Sequence, residues 1–490
     1  VSTYLERYFK KFRDNVVGIE KEFDTPYGKK KMIYSDWTAS GRLYATIEDK
    51  IKNDFGPFVA NTHTETSTTG TLMTHAYHEA KEIIKKHVNA DKNDLIITTG
   101  SGMTRVVVKF QRILGLKYPE KIKKFVNIPD EEKPIVFVTH MEHHSNHISW
   151  LETIADVVVI GENKNGLVCH DCFNDLLEKY KNRKVKIAAI TACSNITGIQ
   201  PEIHKLAKII HQHDGLCFVD YACSAPYVNI NMHPKNPLEK LDAIAFSPHK
   251  FLGGPGSTGV LIFNSELYTN KIPDTPGGGT VAWTNAWGGR KYFEDVEIRE
   301  DGGTPAFLQT IRSALAVKLK EKMGVENILK REEEMLQIIF DKLSNIKGLH
   351  ILADNIHHRL GVVSFYFDNF HFNLCVKLLN DKFGIQTRGG CSCAGTYGHY
   401  LLGVTKEMSQ SITDKIDSGN LADKPGWVRM LINPVMTNEE IEFICDAIKQ
   451  VSENCSEWKK DYVYDEKSNE FYHRDWGEKD KTLIDDWFEF

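Results

Sequence analysis

The chain has 490 residues, 41% of them hydrophobic and 26% charged, with a formal net charge of −5 at pH 7. That length supports a large core and two domains, in proportions ordinary for a globular protein. The mild acidity argues against a dedicated nucleic-acid binder and gives no attraction to anionic membranes, and apolar runs such as IADVVVI (154–160) are too short to span a bilayer.

Leu5, Tyr8, Phe9, Phe12 and Val16 recur at helical spacing, which predicts an amphipathic helix in the first 20 residues. The same stretch mixes acids with bases and lacks an apolar signal core, so a cytoplasmic location is expected. From about residue 90 to 265, short β-branched runs (DLIITT, PIVFVT, DVVVIG, KIAAITA, LCFVD, AIAFS and GVLIF) alternate with helix-like segments such as TRVVVKFQRILG and EIHKLAKIIHQHDG. This alternation predicts an α/β fold on a mostly parallel, doubly wound sheet. Residues 273–307 are rich in Gly, Pro and Trp, and a loop of that length is usually functional or an interface element. One long helical stretch (308–343), a strand-like LGVVSFYF, a helix, the loop RGGCSCAG (388–395), WVRMLI and a final helix near 437–452 predict a smaller α+β domain. The expected division is a large domain over 31–310, a small one from 1–30 and 311–455, and an extension over 456–490 whose role is unread.

Ligands of open α/β sheets collect at the carboxyl ends of the strands, and four such ends carry unusual residues. Gly100-Ser101-Gly102 follows DLIITT and opens a helix, which suits one phosphate or an ordinary turn. After PIVFV come His140, His143, His144 and His147, placed in a turn with Ser145 or Asn146 capping the next helix. No carboxylate or cysteine set completes a metal site there, so the better functional use is an imidazole stacked on a planar cofactor. Asp220 ends the apolar LCFVD as a helix cap or as partner to a protonated ring nitrogen. Lys250 follows AIAFSPH as a solvated loop lysine or, if enclosed, as an amine able to form a Schiff base. Together these are the protein side of a pyridoxal-phosphate site. Arg429 of WVRMLI suits a carboxylate held by two parallel hydrogen bonds.

Of ten cysteines, Cys169 and Cys172 form a C-x-x-C with no second pair at zinc-ribbon spacing, and are expected to be thiols. Cys391 and Cys393 on their own allow a metal clip, a redox pair or a nucleophile.

YSDWTASG, EHHSN, SNITG, VDYA, SPHK, GGGT, GGTP and RGGCSCAG occur in an order that resembles the class V, fold-type I pyridoxal-phosphate enzymes, in particular the cysteine desulfurase and selenocysteine lyase family, from residue 34 to about 450. The resemblance implies that Lys250 holds the cofactor and moves the Cα proton, Asp220 pairs with the pyridine nitrogen, and His143 stacks on the ring. Ser101, Gly102, Ser247 and His249 would bind the phosphate. Thr280 would reach it from a neighbouring subunit, which implies a homodimer. Asn195 and Arg429 would clamp the substrate carboxylate, with Arg388 and His63 also on the substrate side. Cys393, five residues after Arg388, would take the sulfur as a persulfide and pass it to an acceptor protein; the loop is also similar to that of molybdenum cofactor sulfurases.

The implied reaction converts L-cysteine or selenocysteine to L-alanine. A class V aminotransferase, epimerase or β-lyase is the alternative. Two positions depart from the family pattern: Cys223 stands where Gln is common, and a thiol is a poor donor, while Thr64 replaces an arginine near the entrance.

Overall fold

The computed structural model of the chain describes residues 3–477 and 480–489. Residues 1 and 2 of the expected N-terminal helical segment, and 478, 479 and 490 of the extension, lie outside the described residues.

Seven strands form the central sheet, in the order Asp94–Thr99, Gly259–Asn264, Ala243–Phe246, Leu216–Asp220, Lys186–Thr191, Ile135–Thr139, Asp156–Ile160. Gly259–Asn264 runs antiparallel to both neighbours, and the other pairs are parallel. The sheet is mixed α/β and mostly parallel, as the apolar runs predict. Strands buried on both faces need side chains that shed water in either direction. Accordingly Ile96, Phe137, Ile190, Val219 and Phe246 pack on one face. Ile97, Val136, Val138, Ile187 and Phe218 pack on the other, beneath helix Met103–Ile113. Each such side chain removed from water contributes roughly 1.5–3 kcal/mol.

A second sheet of four antiparallel strands lies in the order Leu349–Ile351, Val362–Phe367, Trp427–Leu431, Arg388–Gly390. The expected single helix over 308–343 is two, Phe307–Met323 and Val325–Leu343. Gly324 between them adopts φ +79, which a glycine takes without strain and which stops the first helix. The N-terminal helix is Tyr4–Arg13, with Phe9 and Phe12 buried, and its Arg13 pairs with Glu440 at 2.6 Å. Residues 273–307 contain a hairpin, Val281–Thr284 with Arg290–Tyr292, and a short helix, Val296–Arg299.

The unread extension continues helix Asn438–Trp458 into a hairpin, Tyr462–Asp465 with Glu470–His473. The Tyr462 hydroxyl donates to Asp381 at 2.9 Å and Asn373 Nδ2 donates to the Asn469 carbonyl at 2.6 Å, so the hairpin grips helix Phe372–Phe383. Cys169 and Cys172 are joined in a disulfide rather than being free thiols. Cys169 is the N-cap of helix His170–Lys179, and a spacing of three residues sets both sulfurs on the helix's first turn. No helix among the described residues is long and apolar enough to cross a membrane.

Candidate active site

The parallel strands Lys186–Thr191, Leu216–Asp220 and Ala243–Phe246 end almost level, with Thr191 opposite Asp220 and Asp220 opposite Ala245. The residues just beyond those ends therefore collect at one rim. Asn195 follows the first strand, Asp220 ends the second with Cys223 just beyond it, and Ser247, His249 and Lys250 follow the third. They line a cavity of about 470 Å³ together with Ser101, Gly102, His143, Arg388, Cys393 and Arg429.

Burial sets the charge states on this floor. Asp220 is 3% exposed and its carboxyl is pushed up to about 6 by burial, while the Ala222 amide, donating at 2.8 Å, and the Lys250 amine pull it back. Burial lowers the Lys250 amine, against the pull of Cys223 and Asp220. His143 is held down at about 3, by burial first and by Lys250 second, and His249 at about 4 for the same two reasons. Both rings are therefore neutral at pH 7. His143, rather than Ser145 or Asn146, caps helix His144–Leu151: its Nδ1 accepts from the Ser145 amide at 3.1 Å. An imidazole nitrogen reaches the amide two residues on as an Asx oxygen does.

At the opposite wall Ser247 Oγ accepts from the Met103 amide at 2.8 Å, at the first turn of helix Met103–Ile113. A Cβ on Gly102 would stand 3.1 Å from Ser247 Oγ and 3.6 Å from His249 Nε2. The lack of a side chain there leaves a cradle of hydroxyl, imidazole and helix-end amides suited to an anion.

Arg388 and Arg429 are opposite one another across the antiparallel pair Arg388–Gly390 and Trp427–Leu431. Two like charges so placed repel, and Asp36 lies between them. Its Oδ1 accepts from Arg429 and its Oδ2 from Arg388, each at 2.9 Å. Two guanidiniums sharing one carboxylate leave one positive charge over. Arg429 Nε, Asn195 Oδ1 and Ser392 Oγ are buried at this end of the cavity without hydrogen-bond partners, ready for a polar guest.

The cysteine loop closes the cavity. Ser392 and Cys393 have φ of 50 and 57, a left-handed conformation that costs a non-glycine residue about 1–2 kcal/mol. Three hydrogen bonds hold it there. Asn195 Nδ2 donates to the Ser392 carbonyl at 2.7 Å, the His144 amide donates to the Cys393 carbonyl at 2.7 Å, and the Gly395 amide donates to His144 Nε2 at 2.9 Å. Cys393 is exposed and Cys391 half-buried, so the two thiols are not equivalent.

His63 and Thr280 do not reach this cavity within one chain. His63 lines a separate cavity of about 790 Å³. Its ring lies 3.1 Å from where a Cβ on Gly279 would stand, beside Thr280, whose hydroxyl donates to the Gly277 carbonyl at 2.6 Å. Among the described residues the metal-capable group is Asp91, Asp94 and His233, which includes none of the four histidines of 140–147. Sequence reasoning gave no role of their own to Asp36, His144 or Cys193.

Known proteins match this arrangement over most of the chain. The family model "Aminotransferase class-V" matches residues 33–443, and the chain belongs to that family. A probable cysteine desulfurase of Halalkalibacterium halodurans is 27% identical over 372 residues, which is 74% of this chain and 84% of that protein. One of Staphylococcus aureus is 28% identical over 375 residues, 76% and 85% of the two chains. Among solved structures, the cysteine desulfurase of Thermococcus onnurineus superposes with a TM-score of 0.72 at 21% identity, over 91% of this chain and 98% of that one. The Escherichia coli cysteine desulfurase CsdA gives 0.69 at 20% identity, over the same shares. At those identities the superpositions establish the fold.

Proposed function

We propose that this chain is a pyridoxal-phosphate-dependent cysteine desulfurase that converts L-cysteine to L-alanine and takes the sulfur on Cys393. The observation that carries the reading is one cavity walled by a half-buried lysine, a buried carboxylate, an anion cradle, a carboxylate-binding arginine and an exposed cysteine. The curated relatives bear the same activity in their names.

The residues present fit the cofactor. Asp220, buried with one amide bond to Oδ1, would face its ring nitrogen, and His143, neutral by burial, would lie on its ring. The cradle of Gly102, Ser247 and His249, with Ser101 beside it, would take the phosphate. Bound there, pyridoxal phosphate would supply an electron sink for the substrate's Cα.

The chain's own groups do the rest. Arg429, oriented by Asp36, binds the substrate carboxylate with its free Nε edge, beside Asn195. Lys250, whose burial favours the neutral amine, accepts the Cα proton and holds it for return. The Cys393 thiolate attacks the substrate sulfur, the S–S bond forms as the Cβ–S bond breaks, the bonding pair stays with Cβ and takes up the proton the thiol released, and alanine leaves. Arg388, half in solvent, keeps the loop's root against Asp36. Thr280 and His63 would serve the site of a second copy in a homodimer, and an acceptor protein would collect the sulfur. A cytoplasmic location fits an exposed thiol that must stay reduced between turnovers.

The test measures alanine and sulfide together from L-cysteine and a reductant. Cys393→Ser should abolish turnover and Cys391→Ser only weaken it. No alanine from the wild type would refute the desulfurase, and the reverse ranking would refute Cys393 as the nucleophile.

A further inference from the structure

Two cysteines outside the loop face the same cavity. Cys193 and Cys223 follow strands that end in register at Thr191 and Asp220. That register brings their sulfurs to 3.7 Å, with both residues buried and both lining the cavity. They lean on a common acceptor, the Ser194 carbonyl, at 3.4 Å from Cys193 and 3.7 Å from Cys223.

Their surroundings are unequal. The contact with Cys193 lowers the Cys223 thiol against its burial, and the Lys250 amine and the Arg429 guanidinium lower it further. Burial, and then the Cys223 contact, push Cys193 well up. One thiol is thus set up to ionise and meet what enters the cavity, and the other waits behind it in the protonated form. Desulfuration at Cys393 uses neither.

We propose that Cys193 and Cys223 form an oxidative modification site that closes to a reversible disulfide when a peroxide enters the cavity. The Cys223 thiolate attacks one peroxide oxygen, the O–O bond breaks, and hydroxide leaves as water after taking a proton. Cys223 is left as a sulfenic acid. The Cys193 sulfur then attacks the Cys223 sulfur, the S–O bond breaks, and water departs with the Cys193 proton. Two thiols are oxidised to one disulfide and one peroxide is reduced to two waters. A dithiol reductant reverses the closure. The neighbours of the pair make the event consequential, since Cys223 shares its cavity with Lys250 and Arg429.

The experiment reads mass, so failure of the desulfurase reading leaves its outcome intact. Protein purified with its cofactor, carrying Cys391→Ser and Cys393→Ser to silence the loop, is treated with hydrogen peroxide, alkylated and digested. A linked Cys193–Cys223 peptide, lost on treatment with dithiothreitol, is expected. With Cys193→Ala added, dimedone should instead tag Cys223 as its sulfenic acid. Cys223 staying a free thiol in the folded protein, or linkage arising only after unfolding in urea, overturns the proposal. So does Cys223 advancing to sulfinic acid without linkage while Cys193 is present.

Discussion

At the floor of the cavity, Asp220 and Lys250 follow strands paired on both sides, whereas Cys393 belongs to a loop that leaves the edge strand Arg388–Gly390. The floor derives its chemistry from burial, which raises the Asp220 carboxyl, lowers the Lys250 amine and keeps two histidines neutral. The loop offers exposure instead, with Cys393 in solvent and two non-glycine residues in left-handed backbone held by three hydrogen bonds. On the proposed mechanism, a group that must alter its own ionisation is fixed in the sheet, and one that would hand its cargo outward is fixed only by contacts that can be remade.

The comparison breaks most sharply at the floor. Lys250→Ala should lower alanine formation by about 10³-fold or more, followed as alanine released from L-cysteine, because on the proposed mechanism it removes both the cofactor's anchor and the Cα base. Asp36→Asn comes next. It leaves the buried Arg429 and its neighbour Arg388 without a shared anion, and urea unfolding should show a loss of about 3 kcal/mol.

His143 gives a pH test of the floor. Its ring titrates at about 3 in the fold against an ordinary 6.5, so the unfolded chain binds a proton that the folded one refuses. The stability this neutral ring contributes is complete above 6.5 and is lost as the pH falls toward 3. The cofactor-free His143→Gln variant should therefore lose about 1–2 kcal/mol less than wild type between pH 7 and pH 5, by urea midpoints. At the loop, His144→Ala removes the acceptor of the Gly395 amide, whose hydrogen exchange should quicken by about 10-fold with the global midpoint little changed.

Much of the floor could be read in the sequence because buried parallel strands are written as apolar runs, and the residue after each run is at the sheet's ligand-binding edge. That logic found Asp220 and Lys250 without any structure. It could not find Asp36 between Arg388 and Arg429, since the contact joins positions hundreds of residues apart through the register of the small sheet. The nearness of Cys193 and Cys223 is likewise a fact of register, invisible in two isolated thiols. The break at Gly324 was legible, as a glycine inside a helical pattern, but amphipathic periodicity on both sides concealed it. The hairpin over 462–473 also left a signal: YVYD and EFYH alternate around a polar turn, within a charged and aromatic stretch whose role was unread.

That hairpin reaches further than its position implies. Asn469 holds Asn373, and the Asn373 amide oxygen occupies the space a Cβ on Gly389 would need, 2.0 Å away. The hairpin thus steadies the side chain that fills the space behind Gly389, two residues before Cys391. Through Asn373 the strand that leads into the cysteine loop packs on a helix that the 462–473 hairpin also holds, so the extension and the loop share one support.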